Sequence, residues 1–231
     1  MTRVSQTIDR IDATFDDPNL VANAGLLVFA TLTQRLGLEA LIESMVRLVG
    51  RVGGARPGRK VLTLVHAIIA GASHIDHVDV LRAGSTEAVL GHRVMAPSTI
   101  GTFLRSFTFG HVRQLEAVVA RALERAWKLG AGPGEARLVI DIDYTICEVA
   151  GKAKHGAGYG YTKVLGYHPI LATRADTGEV LLAAAPAAGA KHGVAVAELA
   201  GEQGLVDRLR ACPHRRIVRV GALEVSRDLL G

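Results

Sequence analysis

From Leu20 to Leu48 apolar residues recur at the three- and four-residue spacing of helices packed on one side, and Gly37 interrupts the run, so two helices are predicted. Upstream, Thr7 to Asn19 is polar with scattered apolar positions and reads as a short strand and turn. Arg51 to Arg59 is rich in Gly, Pro and Arg and reads as a loop, Lys60 to Gly71 as a buried helix, and a further helix is predicted near Ile75 to Ala83. Pro97-Ser98-Thr99 is a helix start, with a hydroxyl expected to cap the free amides of a segment from Ile100 to Phe109. After Gly110 a long amphipathic helix is expected from Val112 to Leu129, with Leu115, Val118, Val119, Ala122, Leu123 and Ala126 on its apolar face.

Beyond the Gly130 to Glu135 loop the pattern changes period. Arg137 to Val149 alternates and is rich in β-branched residues, as a strand requires. Val164 to Arg174 and Glu179 to Ala184 read as two more strands, joined by the Asp176-Thr177-Gly178 turn signal. The predicted class is therefore α+β: an all-helical region over 1–130, a sheet nucleus over 131–185, and a divergent tail over 186–231. In that tail Val194 to Leu209 can form a helix and Arg215 to Val220 a strand, with their basic residues read as a solvated surface.

Composition adds little to this outline but narrows the partners. Of 231 residues 49% are hydrophobic yet only 4% aromatic, so the core must come mainly from Ala, Val, Leu and Ile. Lys and Arg number 27 against 22 Asp and Glu, a formal charge of +5 that favours a polyanionic partner without identifying it. Cys147 and Cys212 match neither a disulfide framework nor a paired zinc-ligand pattern. The N-terminus lacks a basic segment leading into an apolar signal core, and the longest apolar run, around Val61 to Ala70, is too short and broken to span a bilayer, so a cytoplasmic location is expected.

Candidate chemistry centres on the first strand. Side chains of a strand alternate faces, so Asp141, Asp143 and Thr145 share one side and Ile140, Ile142 and Tyr144 the other. Carboxylates in so apolar a strand need a partner: a divalent cation with oxygen ligands, or a basic neighbour such as Lys163 or His168. The following Gly151 to Gly156 segment carries Lys152, Lys154 and His155, and Tyr159, Tyr161 and Lys163 come next. Such a loop can approach a phosphate backbone and offer point charges, or serve as a solvated hairpin. Arg105 can be presented to DNA by its helix, though Phe103 and Phe107 beside it suit a core. His66, His74, Asp76, His77 and Asp79 invite a metal reading, but no Cys or Glu completes a recognisable zinc set. Trp127 is expected to anchor packing at the end of the long helix.

Leu138 to Thr145, Gly151 to His155, Tyr159 to Lys163, Gly166 to Pro169 and Ala172 to Glu179, in that order, resemble the first three catalytic-core strands of DDE-type insertion-sequence transposases, closest to the IS-thirteen-eighty group. The helical region is similar to that group's N-terminal DNA-binding part. The resemblance implies an RNase H-like fold on which three acidic residues hold two divalent metals, Mg²⁺ or Mn²⁺, for phosphodiester cleavage and strand transfer. Its first acidic residue, in an Asp-x-Thr setting, maps to Asp143, with Asp141 as a second candidate ligand. The implied partner is the DNA of transposon terminal inverted repeats, in a nucleoid setting, with a homodimer as the candidate assembly. Past Ala184 the family pattern would continue with a helix and a strand bearing a second Asp in an Ala-Asp-Ser-type sequence. Here the chain reads differently, and Glu198, Glu202, Asp207, Glu224 and Asp228 sit in no matching context. A truncation or frameshift after about residue 185, and a catalytically incomplete fragment, are therefore expected. A non-catalytic module acting at transposon ends is the alternative.

Overall fold

The computed structural model describes residues 17, 19–134, 138–151, 157–159, 163–184, 216–220 and 223–226. The chain divides into two compact units, Met1–His111 and Val112–Gly231.

The first unit is helical. Helix α1 (Leu26–Arg35) and helix α2 (Leu38–Met45) flank Gly37, which adopts the left-handed conformation (φ 59°) that the two-helix reading of this stretch requires. Helix α3 (Pro57–Ile69) starts earlier than its apolar pattern suggests, because Pro57 at the first helical position needs no amide partner and Arg56 ahead of it turns left-handed (φ 51°). Ile75–Arg82 is a 3₁₀ helix rather than an α-helix. Three residues per turn stack Val78 directly against Leu81, and both are buried. Short helix α4 (Thr86–Leu90) ends on left-handed Gly91, and helix α5 (Pro97–Arg105) follows. No side-chain hydroxyl caps α5; Pro97 occupies its first position after extended Ala96, so Pro rather than Ser or Thr marks the start. Leu26, Ala30, Ala67, Val78, Leu81, Leu90 and Val94 form the core of this unit.

Helix α6 (Phe109–Ala126) leads into a π-helical turn at Trp127–Ala131. Val118 is buried on its apolar face, whereas Val119, expected there, is exposed. The sheet of the second unit follows, and the molecule is α+β as the sequence pattern requires. The first predicted strand is two: β1 (Leu138–Tyr144) and β2 (Cys147–Glu148). After β3 (Gly158–Tyr159), the second predicted strand also divides, into β4 (Leu165–Tyr167) and β5 (Ile170–Arg174). The two breaks face each other: Thr145 N–H donates to the Pro169 carbonyl at 3.0 Å, and Pro169, lacking an amide hydrogen, cannot extend the ladder. Strands β2, β4 and β3 form one small sheet, while β1 and β5 belong to another.

That larger sheet runs β6-β5-β1-β7-β8, with β6 at Val180–Ala184, β7 at Arg216–Val220 and β8 at Leu223–Ser226. The β1–β5 and β5–β6 pairs are antiparallel, and the predicted turn joins β5 to β6, where Gly178 is left-handed (φ 70°) and its N–H donates to the Arg174 carbonyl. Strand β7, at the place where the tail was expected to form one, pairs parallel with β1 and makes it the central strand.

Candidate functional site

On β1, Leu138, Ile140 and Ile142 are buried, Asp141 is half-buried and Asp143 exposed, so the alternation that puts both carboxylates on one face is present. Asp141 lies in register with Thr173 of β5 on one side and Arg219 of β7 on the other, and Asp143 lies opposite Leu171. Thr145, two residues on, is also exposed. Both aspartates thus sit on the central strand, supported from behind by Ile170, Ala172 and Leu182, which are buried.

Tyr159 on β3 is 67% exposed, and Lys163, between β3 and β4, is exposed in a left-handed conformation (φ 58°). A lysine held there costs about 1 kcal/mol or more against an ordinary backbone. His168 Nε2–H donates to the Gly158 carbonyl at 3.3 Å and thereby ties β3 to the strand break. Lys152, Lys154, His155 and Tyr161 lie outside the described residues. Arg105 ends α5 in the helical unit, exposed, while Phe103 of the same helix is buried and meets Phe107 edge-on at 5.0 Å. The helix carries a core anchor on one side and a solvent-facing cation on the other.

A polar brace that the sequence reading missed supports the sheet. Arg174, only 6% exposed, donates from Nε and Nη2 to both Asp176 oxygens at 2.7 Å and from Nη1 to the Ala131 carbonyl at 3.1 Å. Trp127 Nε1–H donates to the Glu179 carboxylate, nearest at 3.0 Å, so the lone tryptophan fixes polarity as well as packing. Hydrogen bonds from Arg174 hold the Asp176 carboxyl below its usual range. The signal was a charged residue at an inward position of a strand, which must find partners once buried.

Among the described residues no group of three or more His, Cys, Asp or Glu side chains could hold a metal. Asp141 and Asp143 carry oxygen donors of the kind a divalent cation takes. Two carboxylates on one strand do not by themselves make a two-metal pair, which needs carboxylates brought in from other elements. His74 and His77 meet edge to edge at 5.2 Å beside Ser73 and belong to no such group.

A helical unit is followed in the chain by a mixed five-stranded sheet with two aspartates on its central strand. The family model described as "Transposase DDE domain group 1" matches residues 5–219, and the chain belongs to that family. The match spans both units and runs into β7, past residue 185, where the catalytic-core pattern was expected to stop. Neither the curated proteins nor the solved structures compared with the chain yielded a match. No helix among the described residues is long and apolar enough to cross a membrane.

Proposed function

We propose that this transposase-family chain binds the DNA of transposon ends and is catalytically incomplete. The observation that carries this reading is the lone carboxylate pair: Asp143 and Asp141 share the solvent-facing side of β1, with no third ligating side chain clustered on them among the described residues. Asp143 is the candidate first metal ligand and Asp141 its neighbour, a place for one Mg²⁺ or Mn²⁺ completed by water and phosphate oxygens. The described donors do not by themselves make a two-metal site.

DNA contact is assigned to Arg105 in the helical unit and to Lys152, Lys154, His155, Tyr159 and Lys163 around the small sheet. Lysines and arginines neutralise phosphates, and an exposed tyrosine can stack or hydrogen-bond beside them. Placement in the IS-thirteen-eighty group and an interrupted pattern after about residue 185 belong to the same proposal. Translating the other reading frames of the gene tests the interruption: if none continues with the missing Asp and Glu, a frameshift is ruled out.

The functional test pairs a gel-shift assay on the element's terminal repeats with a Mg²⁺-dependent nicking assay on the same duplex. Retarded DNA that stays intact is the expected outcome. Nicking that Asp143→Asn abolishes would overturn the incompleteness, and absence of any shift would overturn DNA binding.

A further inference from the structure

The loop between α2 and α3 lies against α5 and forms with it a cleft of about 420 Å³ lined by Gly50, Arg51, Val52, Thr102, Arg105 and Ser106. Two arginines face it and no acidic residue lines it. Both are exposed, and among the described residues neither makes an ion pair, whereas Arg59 is paired with Glu39 and Arg82 with Asp79. Two guanidinium groups without a counter-charge on one small concave surface repel each other unless an anion joins them.

The cleft is built rather than incidental. Lys60, 5% exposed on α3, donates from Nζ to the Gly53 carbonyl at 2.6 Å and to the Ala55 carbonyl, and lies 5.4 Å from the Phe103 ring centre. One buried ammonium therefore clasps the loop from beneath. At Gly53 (φ 80°) a Cβ would stand 3.0 Å from Thr102 Cγ2 and 3.1 Å from the Phe103 amide nitrogen, so only glycine lets the loop settle onto α5 this closely. On the other wall the Arg105 guanidinium folds back along α5, with Nη1 3.3 Å from where a Cβ on Gly101 would be. Arg51 and Arg105 thus stand on the two walls of the opening.

We infer that this cleft seats a backbone phosphate of duplex DNA, with Arg51 and Arg105 as its paired donors; the assignment rests on the DNA-binding reading above. A guanidinium presents a planar fork of N–H donors that matches phosphate oxygens. The Thr102 and Ser106 hydroxyls line the same opening. The cleft lies along the C-terminal half of α5, where the helix dipole disfavours an anion, so the two arginines carry the attraction. Val49 and Val52 beside it are exposed and offer apolar contact to a sugar edge. No base-reading geometry is present, so the seat fixes position and leaves sequence discrimination to other residues.

The test measures fluorescence anisotropy of the full chain with labelled terminal-repeat and scrambled duplexes over a salt series. R51A/R105A is expected to weaken both duplexes equally, about tenfold or more, and to reduce the slope of log affinity against log salt by about 1 to 2. R51K/R105K keeps the charge and retains most of the slope, which separates lost charge from lost fold. Wild-type affinity and slope in R51A/R105A would overturn the phosphate seat while leaving DNA binding intact. Failure of the wild-type chain to bind either duplex would overturn the DNA-binding reading and the seat with it.

Discussion

His66 is completely buried, and its Nδ1 lies 3.0 Å from Nε2 of His92 with the rings stacked at 5.2 Å. His92 Nδ1–H is committed to the Arg93 carbonyl at 3.2 Å, so its Nε2 accepts and His66 Nδ1–H donates. That leaves His66 Nε2 a bare, buried lone pair without a partner. A proton added there would have no acceptor, and burial, followed by repulsion from His92, pushes the His66 pKa down to about 4. The folded pKa lies below the unfolded value, so between about pH 6.5 and 4 the unfolded chain takes up a proton that the folded chain refuses. Stability is therefore full above that window and falls as pH drops through it, by up to about 3 kcal/mol. Melting temperatures of the wild type and His66→Gln across pH 4 to 7 check this; the variant's curve is expected to be flatter, and parallel curves would refute the assignment.

At the scale of elements, close approach of backbones decides more than propensity. Gly58 in the first turn of α3 sits so near α2 that a Cβ would lie 2.6 Å from the Glu39 carbonyl oxygen, while its own N–H donates to Glu43 Oε1 at 3.1 Å. Gly58→Ala is expected to destabilise by roughly 1–3 kcal/mol, because two helices must separate to admit one methyl group. Gly110, near the start of α6, has nothing within 4 Å of its added Cβ. Gly110→Ala should be neutral or stabilise by up to about 1 kcal/mol. Denaturant midpoints of the two variants give the comparison, and equal effects would remove the distinction. These contrasts explain what the sequence disclosed. Periodicity located α1, α2, α5, α6 and the β5–β6 turn, and alternation placed Asp141 and Asp143 on one face, since those signals are local. The opposed breaks at Thr145 and Pro169, the 3₁₀ geometry at Ile75–Arg82 and the Arg174 brace were not legible. The first and the last depend on partners distant in the chain, Thr145 with Pro169 and Arg174 with Ala131, that no local period encodes.

At the scale of the whole molecule, a formal charge of +5 makes salt the simplest general probe of partnership with DNA, and any affinity must be quoted with its ionic strength. The sheet also sets an order of assembly. The antiparallel β1–β5–β6 portion closes from neighbouring segments, whereas β7 joins β1 from much farther along the chain. Pairings between distant segments form late because the intervening chain must first be confined. A chain truncated after Ala184 should consequently expose the β7-facing edge of β1 and self-associate, which light scattering at rising concentration would detect; a dispersed monomer would contradict it. The same arrangement gives the carboxylate strand a vulnerable interval on the ribosome. Until residues beyond 216 have emerged, one flank of the aspartate-bearing strand stands open to any other nascent chain, so slow translation of the tail would lengthen its exposure to misassembly.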